Sequence, residues 1–119
     1  MSDNAQTTPT LTLFANSAPV VQEIYQRITA ALHEIGPFTE EPKKTSIHLV
    51  RKSGFGGIHP RKHFLILNVR LARALQEDPR LAKTEQVSRN RYHNEIKIAT
   101  PNEVDGELIA WLKEAYTLV

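Results

Sequence analysis

Cysteine is absent from these 119 residues. That excludes disulfides, thiolate nucleophiles, iron–sulfur clusters and cysteine-based zinc sites. It also fits a reducing, cytoplasmic setting. No apolar run approaches the ~20 residues that a membrane helix needs, so no membrane partner is expected. Met1 to Thr8 is polar and places no basic residue ahead of an apolar stretch, so no signal peptide is expected. Tryptophan and methionine occur once each. No cofactor signature is present. The length suits one domain, and the 40% apolar content suffices for one core.

Charge is abundant and unevenly placed. Between Lys43 and Lys97 there are 13 Lys/Arg and 4 Asp/Glu, whereas acidic residues dominate both flanks, leaving a net charge of +2. The basic stretch also carries the clearest strand patterning. A sheet with a cationic face or pocket is therefore expected, and such surfaces attract anions.

The order of elements follows from periodicity. Residues 1–10 are small and polar and are expected to form a disordered tail, with a single domain over 11–119. Leu11, Leu13 and Phe14 form a short apolar segment expected to dock on the core. A first helix begins at Ser17-Ala18-Pro19, with Ser17 as N-cap. Its apolar stripe is Val20, Val21, Ile24, Tyr25, Ile28, Ala31, Leu32 and Ile35. Gly36-Pro37 ends it, glycine being free to adopt the left-handed conformation. Strands are predicted at 45–52, 55–58, 62–71 and 92–99, with an edge strand at 84–89. Leu65, Leu67, Val69 and Leu71 mark the core face of the longest, and residues 72–83 read as a helical turn or a loop. A second helix starts at Thr100-Pro101 with a capping box to Glu103, or at Asn102 with Asp105 in its first turn; Val104, Leu108, Trp111, Leu112, Ala115 and Tyr116 form its stripe. Short turns imply antiparallel pairing. The fold class is α+β: a two-layer sandwich, an antiparallel sheet of about 4–5 strands with the N- and C-terminal helices on one face.

The runs KKTSIHLVRKSGFGGIHPRKHFLIL, RNRYHNEIKI and EVDGELIAWLKEAY resemble a bacterial family catalogued as domain of unknown function 5655, over roughly residues 14–118. Some members are labelled predicted transport proteins, and some are fused behind another small domain that this chain lacks. The family supplies no activity to carry over. The resemblance implies that Lys44, Phe55, Pro60, Lys62, His93, Trp111 and Tyr116 are positions of interest.

The candidate anion-binding residues are Lys44, Arg51, Arg61, Lys62, Arg91 and His93, with Lys52 and Arg89 as neighbours in sequence. Arginine offers bidentate contacts to phosphate or carboxylate, and lysine a point charge. A solvated, charge-guarded sheet face would carry the same residues. Nucleic acid is one candidate partner, and stacking would then fall to Phe55, Phe64 and Tyr92. An anionic small molecule or a phosphate group fits the charge more simply. His59 and His63 have an H-x3-H spacing, but the intervening Pro-Arg-Lys reads as a turn and adds cations, so no metal site is expected. His93 and Glu95 share a strand face and form a candidate acid–base pair. Asp78 with Glu95-Ile96-Lys97 formally matches a nuclease pattern without its usual element order. Ser53 to Gly57 lacks the Gly-Lys-Ser/Thr ending of a phosphate loop.

The reading that follows is a small cytoplasmic binding domain with a cationic sheet face or pocket for an anionic ligand or partner, rather than an enzyme. One alternative is an enzyme acting on an anionic substrate, with His93 as acid/base beside Lys44 and Lys62. The other is an interaction module that dimerises through its sheet, so monomer and homodimer both stay open.

Overall fold

The computed structural model describes residues 12–119. Leu11 and the tail expected at 1–10 lie outside the described residues. The chain runs as α1 (Pro19–Ile35), β1 (Thr39–Pro42), β2 (Ile47–Val50), β3 (Gly54–Pro60), β4 (Leu65–Leu71), β5 (Leu81–Ser88), β6 (Arg91–Ile98), a 3-10 turn (Pro101–Glu103) and α2 (Gly106–Leu118). The six strands form one antiparallel sheet in the order β1-β2-β3-β4-β6-β5. No helix of the described residues is long and apolar enough to cross a membrane.

Both helices lie on one face of the sheet. α1 offers Val21, Ile24, Ile28 and Leu32 to the core at the i, i+3, i+4 spacing of one helical face. α2 offers Leu108, Trp111, Leu112, Ala115 and Tyr116. Under them, β4 buries every second residue, Leu65, Leu67, Val69 and Leu71, as its alternation predicted. Ile47, Leu49, Ile58, Ile96 and Ile98 come from neighbouring strands. Each such aliphatic side chain contributes about 1.5–3 kcal/mol when fully buried. Phe14 joins this core against Tyr25, their rings 5.0 Å apart.

Several sequence expectations need correction. The sheet has six strands rather than four or five, because β1 was missed. Its sequence, Thr-Glu-Glu-Pro, has no apolar alternation; it is held as an edge by pairing to β2 and by the Tyr25 hydroxyl of α1, which donates to Glu40. Burial and that carboxylate push the Tyr25 phenol pKa upward. Ser17 is not the N-cap of α1. Ala18 holds that position, and the Ser17 hydroxyl donates to the Arg61 carbonyl at 2.7 Å. Gly36 is extended (φ 163°) rather than left-handed, and glycine is required there because a Cβ would collide with the Tyr116 ring and hydroxyl. The Thr100 segment closes only the 3-10 turn, with the Glu103 carboxylate accepting from the amides of Ala99 and Thr100. Asp105 caps α2 instead, accepting from the Leu108 amide at 3.0 Å.

Two polar anchors hold the irregular stretch between β4 and β5. Asn94 is fully buried. Its Oδ1 accepts from the Leu75 amide (2.9 Å) and the Thr84 hydroxyl (3.0 Å); its Nδ2 donates to the carbonyls of Arg73 (3.2 Å) and Val69 (3.4 Å). Arg80 is 10% exposed and lies 5.1 Å over the Trp111 ring. Its guanidinium donates to both Asp78 oxygens, to the Glu103 carbonyl (2.7 Å), to Asp105 (3.1 Å) and to Glu107 (3.3 Å). Arg80 thereby depresses the Asp78 carboxyl to about 2. The same stretch tolerates Glu77 in the left-handed region (φ 57°), a local cost of about 1–2 kcal/mol.

Asn94→Ala should lower the unfolding free energy by about 2–4 kcal/mol, because it strands the Leu75 amide and the Arg73 carbonyl; urea denaturation measures this. A folded pKa of Asp78 below its ordinary 3.8 means that its contribution is complete above about pH 5 and is lost as pH falls toward 2. Asp78→Asn should flatten that part of the stability–pH curve, and equal acid slopes in the two proteins would rule out the contribution.

Candidate functional site

Hairpin order decides where the cations go. Successive antiparallel strands place alternate turns at opposite ends of the sheet. The β1–β2 turn (43–46) and the β3–β4 turn (61–64) share one end, because Pro42 pairs with Ile47 and Pro60 with Leu65. The β2–β3 turn (51–53) and the β5–β6 turn (89–90) lie at the other. Lys44, Arg61 and Lys62 therefore share one end, and Arg51, Lys52, Arg89 and Arg91 the other.

At the first end, Lys44, Arg61 and Lys62 line a cavity of about 420 Å³ together with Thr12, Leu13, Asn16, Ser17, Thr45 and Pro60. Its floor is built by main-chain bonding. The Ala18 amide donates to the Lys62 carbonyl at 2.7 Å, and Ser17 Oγ to the Arg61 carbonyl. The Arg61 amide closes the turn on the Phe64 carbonyl at 2.8 Å. With both carbonyls turned toward the start of α1, the Arg61 and Lys62 side chains are left exposed at the rim. No carboxylate among the described residues pairs with Lys44, Arg61 or Lys62. Arg61 Nη1 reaches only the Pro60 carbonyl, at 3.3 Å.

The other candidates are engaged elsewhere or stand apart. Arg51 donates to the main-chain oxygens of Tyr116 (3.0 Å) and Val119 (3.3 Å) and lies 4.6 Å over the Tyr116 ring. It closes the C-terminal end of α2, where a cation is favoured by the helix dipole. Arg91 reaches the Asn90 carbonyl of its own hairpin. His93 lies on the face without helices, opposite Arg70. Five residues of β4 separate Arg70 from the Leu65 end beside the cavity, about 17 Å at strand rise. The enzyme alternative needs His93 beside Lys44 and Lys62, and the structure does not bring them together. The cations also do not coat the open sheet face as a single-sign surface: Arg70, Lys83 and Lys97 alternate there with Glu85 and Glu95.

That open face holds a polar group not foreseen from sequence. His48, Gly57, Asn68 and Glu95 lie in one cross-strand row, with His59 two residues from Gly57. Gly57 has no side chain, and His59 Nε2 lies 3.7 Å from the position its Cβ would take. Asn68 Oδ1 and Arg70 Nε are buried without a hydrogen-bond partner among the described residues. The strand predicted at 55–58 stops one residue short of His59, and the row itself depends on register between strands. Burial first, then Arg61, holds the His59 imidazole below its ordinary value, while Glu95 opposes them. Burial and Arg70 act alike on His93. Among the described residues no three His, Asp or Glu side chains are placed to hold a metal ion. His63 is exposed in the turn after β3, and Asp78 belongs to Arg80 rather than to Glu95. Of the stacking candidates, Phe55 is buried edge-on to Tyr116, and Phe64 lies under Lys97 Nζ at 4.4 Å. A larger groove of about 510 Å³ between the helices is lined by Glu23, Gln26, Arg27, Glu34 and apolar side chains, and Arg27 is its one cation among the described residues.

Because folding lowers the His59 pKa, neutral His59 favours the folded state, and this contribution fades as pH drops through the ordinary value of 6.5. In an NMR pH titration Arg61→Ala should raise the His59 midpoint, and Glu95→Gln should lower it. Unmoved midpoints would mean that the two charges do not reach the ring.

A family model described as Domain of unknown function (DUF5655) matches residues 12–119. No curated protein and no solved structure matches the chain. The family match takes in both helices and all six strands, including both turns that line the cavity, and on that span the chain belongs to the DUF5655 family.

Proposed function

We propose that this domain is a non-catalytic anion-binding module whose site is the cavity at the β1–β2 and β3–β4 turns. One observation carries the reading: Lys44, Arg61 and Lys62 meet there without a carboxylate among the described residues. Several cations elsewhere have partners. Arg73 pairs with Glu114 at 2.9 Å, Arg80 with three acids, and Lys43 with Glu41 at 3.8 Å. Three like charges held close by main-chain bonding repel one another, and an anion relieves that repulsion. Arg61 supplies a planar donor pair, the lysines supply point charges, and Ser17 and Asn16 bring neutral polar groups. The ligand class is a compact phosphate or carboxylate group. A cytoplasmic setting accords with the missing cysteines.

The test is an NMR titration of the domain with inorganic phosphate and with a nucleoside monophosphate. Amides of residues 43–46 and 60–63 should shift together, and binding should weaken as salt is raised. Arg61→Ala and Lys62→Ala should each weaken binding about tenfold, the loss of one charge-assisted contact. Their melting temperatures should stay near that of the parent. Filling the cavity should also raise the His59 midpoint by offsetting the Arg61 charge. Shifts centred on His93 or Arg91 instead, or affinity indifferent to both substitutions, would rule out this site.

A further inference from the structure

The two edges of the sheet differ. β1 is four residues long, ends in a proline with no amide hydrogen, carries Glu40 and Glu41, and is tied to α1 through Tyr25. Those are the features that close an edge to further pairing. β5 is eight residues long, contains no proline or glycine, and pairs only on its β6 side among the described residues. Register irregularities fall at Leu81/Lys83 and Gln86/Ser88 and bracket an undisturbed segment, Lys83 to Gln86. Val87, 48% exposed, is the exposed large hydrophobic side chain of the described residues, and it belongs to this strand.

The sequence of that segment is complementary to itself. A second copy that extends the sheet antiparallel, with its helices on the same face, is related by a two-fold axis normal to the sheet. Residues opposite one another must then point to the same face, which restricts the register. Centring on Lys83 sets lysine against lysine, and centring on Glu85 sets glutamate against glutamate. Centring on Thr84 sets Lys83 against the partner's Glu85 and Glu85 against the partner's Lys83. The same register draws Leu81 toward the partner's Val87. Thr84 faces the helix side, where its hydroxyl already bonds Asn94, and Lys83 and Glu85 face the open side.

We propose that β5 is a homodimerisation edge, joining two copies in the register centred on Thr84 and continuing the sheet from one copy into the next. The partner is a second copy of this chain, selected by two symmetric Lys83–Glu85 ion pairs and the unpaired main-chain groups of the edge. The anion cavities lie at the end of the sheet where β1 meets β2, away from this edge, so dimerisation leaves them open.

The experiment is sedimentation equilibrium on the wild-type domain, on Lys83→Glu, on Glu85→Lys, and on an equimolar mixture of the two variants. All the altered side chains are exposed, so folding is retained and is checked by circular dichroism. The wild type should dimerise, and more tightly at low salt. Each single reversal should weaken dimerisation about tenfold or more by setting like charges opposite one another. The mixture should recover, because a heterodimer of the two variants places acid opposite base at both pairs. Amides of 83–86 should gain hydrogen-exchange protection as wild-type concentration rises. A wild type that stays monomeric over about a hundredfold range of concentration reaching the millimolar level overturns the proposal. So does a dimer indifferent to both reversals, or a mixture no tighter than its components.

Discussion

Among the described residues, two helices cover one face of a six-stranded sheet, and only one. That coverage governs most of the molecule. Apolar side chains collect where α1 and α2 lie, so β4 alternates strictly between buried and half-exposed residues. The uncovered face must meet water, and it is filled with histidine, asparagine and charges of both signs. One layer of helices also leaves both outer strands without cover, so each edge is closed by its own chemistry or left open to pairing.

Hydrophobic burial alone would not fix the region between β4 and β5, which has little apolar material. Polar anchors do that work from opposite sides. Asn94 reaches out of the sheet to carbonyls and amides of the loop, and Arg80 reaches from the loop to the start of α2. Both are well enclosed, so each bond is strengthened by the low local dielectric, and each broken bond leaves a group that water cannot readily reach. Arg80 has the additional effect of gathering Asp78, Asp105 and Glu107 into one place.

Much of the architecture was legible because it rests on local periodicity. The stripes of both helices, the core face of β4, the pairing direction and the packing of Trp111 and Tyr116 all follow from spacing in the chain. β1 was not legible: Thr-Glu-Glu-Pro becomes a strand only because β2 and Tyr25 are beside it. Gly36 was read correctly as a helix end but for the wrong reason, since the constraint comes from Tyr116, eighty residues later in the chain. The capping signal at Thr100 was real, yet it closed a 3-10 turn, because Asp105 offers a second cap that aims α2 over β3 and β4. Asn94, Arg80 and the row from His48 to Glu95 depend on register between strands, which alternation within a strand does not supply.

The charge excess of the central segment is informative only after it has been folded. A run of basic residues across several hairpins is divided by the parity of the turns, and every second turn delivers its side chains to the opposite end of the sheet. Lys44, Arg61 and Lys62 survive that division as a group because they lie two turns apart. Arg51 lies on the intervening turn and is sent to the opposite end, whereas Arg91 is placed there because β5 runs parallel to β4, the connection 72–80 returning along the sheet before the β5–β6 turn. Partnering then divides the cations again. Arg51 is drawn to the end of α2 and Arg73 to Glu114, whereas the trio beside Ser17 meets no acid among the described residues. Turn parity and the supply of nearby carboxylates, rather than linear charge density, therefore determine where an anion finds uncompensated positive charge on this domain.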